Sequence, residues 1–448
     1  MRTRIFLLSC LALVGLAGTA LAADYSRLGK DLTPIGAEKA GNADGSIPAW
    51  DGGWTKVDPS WKAPGGDRPN PFADDKILYT ITKENMAQYA DKLPEASKAL
   101  LQARPEAFQI NVYPTRRSVA YPQWVYDMTR DNAGKCQLID DGNGVGGCTT
   151  GIPFPIPQSA EEIIWNHYLR FQGKAAYGKE MNEYLVYGNG KTQHWAFENV
   201  RTYPWWDDSD PEDDKNGIIY KHSSTVTLPA RDSGEGILVI DNKAPAQVSR
   251  MAWTYDPGER RVRRAPNVGF DTPDRACNTY DDLDGMTGTL EMWDWKILGK
   301  KELIIPYNNN EINKSGYELA FAQPVGFPNK DLLRWELHRV WVVEATLKEG
   351  KRHSYSRRVH YIDEDSWAIK VAEKYDGNGD LWRMSYFFGI TAPEIPTTAT
   401  GINLHVDLKN DAYYTLYSTH GLKQSIDYTA PSPPATYYTA AALRKRGR

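Results

Sequence analysis

The sequence predicts a mainly β protein built on one large curved antiparallel sheet or open barrel. Three observations carry that expectation. Segments alternating apolar and polar residues recur from about residue 193 to 420, enough for roughly ten or more strands. Short turns rich in Asp, Asn and Gly separate them, as expected between antiparallel neighbours. Clear helical periods are few and lie before residue 193.

The elements follow in order. Residues 1–22 read as a cleaved signal peptide: Arg2 and Arg4 form a charged start, Ile5 to Leu16 an apolar core, and Ala20-Leu21-Ala22 a small-residue cleavage site. Export to the periplasm follows from it. Residues 23–80 are an extended arm rich in Gly, Pro and Trp. Residues 81–192 form a helical and loop segment. Lys83–Leu93 and Pro94–Ala103 suit short helices, and Ser159 with Glu162 makes a capping box before Ile163, Ile164, His167, Tyr168 and Phe171 at helical spacing, ending at Gly173. Residues 193–448 hold the sheet, and 23–448 read as one structural domain.

The strand pattern is sharpest from Arg334 to Phe388. Trp335, Leu337, Arg339, Trp341, Val343, Ala345 and Leu347 share one face, and Arg334, Glu336, His338 and Glu344 the other. Turns at Glu349-Gly350, Asp363-Glu364-Asp365-Ser366 and Asp376-Gly377-Asn378-Gly379-Asp380 join four strands into a meander. Met251, Trp253 and Tyr255 enter a similar hairpin at Asp256-Pro257-Gly258-Glu259. Ala440 to Arg448 read as a frayed tail.

Composition narrows the function. The 448 residues are 41% hydrophobic and 25% charged, ordinary for a globular chain, while 15 Trp, 26 Tyr and 11 Phe make it rich in rings. A net charge of −4 argues against nucleic-acid binding, which needs a basic surplus. The single long apolar stretch, at the N-terminus, excludes a multi-span membrane protein. Cys136 and Cys148 bracket a turn-rich segment and suit a disulfide in an oxidising compartment, which leaves Cys277 over, buried or reactive.

Familiar catalytic and cofactor motifs are absent, so no catalytic residue, metal or cofactor is expected. His353 and His360, seven apart, would project to opposite faces of one strand. The Asp376–Asp380 turn starts like a calcium loop but has Leu381 and Phe387 where such a loop needs Gly and Glu. The sharpest anomaly is Arg260-Arg261-Val262-Arg263-Arg264. On a half-buried strand at least one arginine pair needs an anion, supplied by carboxylates such as Asp281, Asp282, Asp284 or Glu259, or by a ligand. Arg339 among tryptophans poses the same question.

Several stretches carry a resemblance. They are Leu32-Thr33-Pro34-Ile35-Gly36-Ala37, Gly41-Asn42-Ala43-Asp44-Gly45-Ser46-Ile47-Pro48, Gly151-Ile152-Pro153-Phe154-Pro155-Ile156-Pro157, Trp253 through Pro266, Arg334 through Glu344, and Tyr361 through Trp367. In this order the chain resembles the periplasmic family of domain of unknown function 1329, itself similar to the lipoprotein-carrier (LolA/LolB-like) superfamily. The resemblance implies an incomplete barrel whose concave face is closed by helices and receives acyl chains. It also implies an efflux-type inner-membrane transporter and an outer-membrane protein as partners, and it supplies no catalytic residues.

The leading functional expectation is a carrier or chaperone for lipid or another hydrophobic molecule. Its candidate ligand-binding residues are Trp253, Trp293, Trp295, Trp335, Trp341, Trp367 and Trp382, with Arg339, Arg260, Arg261, Arg263 and Arg264 for an anionic head group. The alternative is a glycan-binding protein or glycan-active enzyme, since Trp and Tyr beside carboxylates suit sugars. A structural envelope scaffold is a third reading and predicts no apolar cavity.

Overall fold

The structure is a computed structural model that describes residues 23–59, 61, 66–266, 268–422 and 426–447; the expected signal peptide, residues 1–22, lies outside them. Along the chain come β1 (Tyr79–Ile81), α1 (Glu95–Ala103), β2 (Ile110–Val112), α2 (Gln123–Asn132), β3 (Gln137–Ile139), β4 (Gly144–Gly146), α3 (Ala160–Tyr168), β5 (Ala175–Tyr187) and β6 (Thr192–Thr202). Then follow α4 (Pro211–Lys215), β7 (Ile218–Leu228), β8 (Gly236–Asn242), β9 (Met251–Asp256), β10 (Arg261–Arg264), β11 (Trp293–Pro306) and α5 (Leu319–Ala322). The last are β12 (Trp335–Leu347), β13 (Arg357–Asp363), β14 (Ile369–Tyr375), β15 (Leu381–Ala392), β16 (Thr397–Asp407), β17 (Ala412–Ser418) and α6 (Ala440–Arg446).

Fifteen of these strands form one sheet. Two meanders build it, β5 to β10 and β11 to β17, and they join where β17 pairs antiparallel with β5. The strands β10 and β11, consecutive in sequence, therefore occupy opposite edges. The sheet is curved and not closed, with few helices. The segment between β10 and β11 must travel from one edge to the other, and its residues line the cavity on one face of the sheet. Short β1 and β2 extend the sheet beside β12 through one parallel bridge, Trp335 to Val112.

The expected meander is present as β12 to β15, and its third turn is closed locally. Asp376 Oδ1 accepts from the backbone N–H of Asn378 and Asp380 at 2.9 and 3.0 Å. Other expectations need correction. The sheet takes up β1, β2 and β5 from before residue 193. Lys83–Leu93 contains a short 3-10 turn, Met86–Lys92, and His353 lies in a loop outside β13. The polar face of β12 is not solvated: Glu336 and His338 are 0% and 1% exposed, because the segment around Arg116 and the 307–310 loop lie over it. Nor is the C-terminus frayed. Thr439 caps α6, and Leu443 docks fully buried among Val200, Leu238 and Tyr255 on one face of the β5 to β10 half of the sheet.

Candidate functional site

A cavity of about 610 Å³ lies against the opposite face of that same half of the sheet. Its floor follows from register, because side chains two apart share a face. On β6 these are Phe197, Asn199 and Arg201, which stand opposite Val226, Ser224 and His222 of β7. Ser224 and His222 in turn face Ile237 and Val239 of β8. The roof has two parts. One is the end of α3 and the residues after it: Trp165, His167, Tyr168, Arg170 and Gln172. The other is the edge-to-edge crossing, which contributes Val268, Phe270, Tyr280, Leu283, Met286 and others. The Ser159 half of the α3 capping box is formed, with Ser159 Oγ accepting from Glu162 N–H at 3.3 Å, while the Glu162 carboxylate accepts from the N–H of Gln158. The helix stops at Tyr168, short of Gly173, and so frees Arg170 and Gln172 to reach the cavity.

The wall combines an apolar, ring-rich lining with paired charges. Arg170 meets Asp284 at 2.5 Å, Arg250 holds Asp241 through two bonds at 2.7 and 2.8 Å, and Arg275 reaches Glu183 at 3.4 Å. Arg275 also lies over the Trp195 ring, 4.4 Å from its centroid. Burial, aided by the nearby Asp274, pushes the Glu183 carboxyl up to about 7. Burial and the charges of Arg201 and Arg250 push His222 down to about 3, so its imidazole is neutral.

Of the twelve ligand-binding candidates, the cavity takes one, Arg264, exposed on the edge strand β10. Trp335, Trp367 and Trp293 are buried elsewhere. Trp335 packs against Phe108 and Tyr386, Trp367 donates to the carbonyl of Ile35 at 3.0 Å, and Trp293 meets His353 edge-on. Trp295 lies near His360, Trp341 under Lys300, and Trp382 under Arg383 and Lys409. Trp253 packs on the α6 side of the sheet. Arg339 is surrounded by Glu364, Glu302 and Glu38 at 3.5 to 3.8 Å. Arg263 pairs with Glu259, while Arg260 and Arg261 are exposed. Asp281 and Asp282 pair instead with Arg358. The tryptophans that line the cavity are Trp165 and Trp195; the i, i+2 run Phe197, Asn199, Arg201 was the sequence signal for its floor.

Cys136 and Cys148 form a disulfide, and Cys277 is buried. Burial pushes the Cys277 thiol up to about 12, which keeps it protonated. One buried group, His338, Asp363 and Asp365, brings ligand-type atoms within 4.8 Å of one another. Its atoms are largely engaged: Asp365 is held by Arg117 at 2.9 and 2.6 Å, Asp363 Oδ2 by Tyr307 and Ser366, and His338 Nε2 lies 3.0 Å from Glu336. Among the described residues no helix is long and apolar enough to cross a membrane.

Comparison with known proteins gives the following likenesses. The uncharacterized protein PA3922 of Pseudomonas aeruginosa is 38% identical over 451 residues, spanning 100% of this chain and 98% of that one. A putative outer membrane lipoprotein-sorting protein domain from Vibrio parahaemolyticus has a TM-score of 0.44 at 13% identity, covering 63% of this chain and 97% of that one. A DUF1329 family protein from Desulfovibrio piger has a TM-score of 0.41 at 18% identity, covering 60% and 92%. A LolA superfamily protein from Nitrosomonas europaea has 0.38 at 11% identity, covering 63% and 98%. The model of the family described as protein of unknown function (DUF1329) matches residues 80–444, and the chain belongs to that family.

Proposed function

We propose that this protein is a periplasmic carrier that shelters a hydrophobic molecule between the sheet and its crossing segment. The observation that carries the reading is the cavity of about 610 Å³, which falls in the range of about 300–1,000 Å³ that encloses small ligands. Burying apolar ligand surface there contributes about 25 cal/mol per Å² before the costs of association. The Cys136–Cys148 disulfide supports an oxidising compartment, as does the signal-like N-terminus. Delivery to an envelope transporter or an outer-membrane protein belongs to the same proposal.

The test is binding of Nile red, a neutral apolar dye, to the wild type and to Ser224→Trp, which fills the floor. Saturable binding that the substitution weakens at least tenfold supports the carrier. No binding, or binding unchanged by the filled floor, overturns it. The glycan reading has one observation in its favour, the neighbouring carboxylates Glu183 and Asp274 in a wall with Trp195. It predicts saccharide binding lost in Glu183→Gln.

A further inference from the structure

Every arginine in the cavity wall has a carboxylate or solvent except one. Arg201 is 4% exposed, it forms no salt bridge among the described residues, and its Nε has no hydrogen-bond partner. Its guanidinium lies over the Tyr417 ring, 4.7 Å from the centroid, and phenols rather than carboxylates surround it, from Tyr203, Tyr220 and Tyr428. Asp284, the carboxylate whose charge reaches Tyr203, Tyr220 and Tyr417, is held by Arg170. A buried charge without a counter-charge is costly, and guanidinium retains its proton, so neutralisation is not an escape. Cation–π contact offsets only part of that cost. Arg201 stands on the cavity floor beside neutral His222, its cross-strand neighbour.

We infer that Arg201 is the receptor for the head group of an anionic amphiphile, a carboxylate or phosphate monoester whose apolar body fills the rest of the cavity. The inference rests on the carrier reading and adds to it the charge class of the cargo. It also moves the anion site from the exposed arginines of β10 to a desolvated position, where a charge-assisted bidentate contact is strongest.

The experiment compares laurate, dodecyl phosphate and dodecanol as displacers of Nile red, with inorganic phosphate as the small free anion. In the wild type at least one of the two anionic amphiphiles displaces the dye at concentrations at least about tenfold lower than dodecanol, as one charged hydrogen-bonded contact predicts. Arg201→Gln loses that preference and still binds dodecanol, which also shows that the variant folds. Arg201→Lys, keeping a cation, retains a preference of the same sign. Equal displacement by all three amphiphiles, or a preference unchanged in Arg201→Gln, overturns the inference and leaves the carrier standing. Displacement by inorganic phosphate at concentrations matching laurate overturns the amphiphile. Failure of Nile red and all three amphiphiles to bind the wild type overturns the carrier itself.

Discussion

His405 and His222 show how burial sets the chemistry of single residues here. His405 is 0% exposed, and burial with the nearby Lys374 charge pushes it down to about 3, as for His222. Unfolding returns each to an ordinary 6.5, so between pH 6.5 and 3 the unfolded chain binds more protons. The stability each contributes is present above 6.5 and lost as pH falls through 3. At pH 5 the loss is about 2 kcal/mol per imidazole. Urea unfolding of the wild type and His405→Asn should therefore show a stability gap about 2 kcal/mol smaller at pH 5 than at pH 7.5. Glu183 has the opposite sign. Its raised carboxyl stabilises the fold below 4.5, and this is lost as pH rises through about 7. Glu183→Gln should therefore steepen the acid loss. Sequence shows which residues titrate, but not these directions, because burial comes from distant elements.

At the scale of elements, legibility followed how local the cause was. The α3 cap and the Asp376 turn rest on bonds spanning four residues or fewer, and both were readable. The β12 to β15 alternation was readable as strands, yet not its exposure, because both faces of β13 and β14 are buried by other parts of the chain. Helix α6 was missed because Ala-rich, basic ends usually fray, and this one is held by Leu443 docking on the sheet and by Arg446 donating to Ser223 Oγ of β7 at 2.7 Å. The β3–β4 hairpin depends on its covalent clip. Closing a loop of this length stabilises by about 3 kcal/mol on the chain-entropy model. Replacing Cys136 and Cys148 by Ser should lower the thermal unfolding midpoint, and added reductant should lower the wild type's toward it while leaving the variant unchanged.

For the whole molecule, the decisive feature is that the chain changes sheet edges once, between β10 and β11. The roof produced by that crossing is pinned against the far half of the sheet at Gly285, whose φ is +97°, and a Cβ there would stand 2.8 Å from Ile369 Cβ. Gly285→Ala should lower urea stability by more than about 1 kcal/mol and weaken Nile red binding, because both the backbone and the contact resist the methyl group. An unchanged dye affinity with lowered stability would show the roof to be irrelevant to the cavity. The sequence by itself determined the strand grammar, the cysteine pair, the ring-rich composition and the family resemblance, since each is written in neighbouring residues or in motifs. Only the tertiary structure decided that β17 pairs with β5, that all seven expected tryptophans pack away from the cavity, and that Arg201 stands without a counter-charge in its floor. Those outcomes depend on contacts between residues hundreds of positions apart, and alternation along one strand names two faces without saying which of them the rest of the chain will cover.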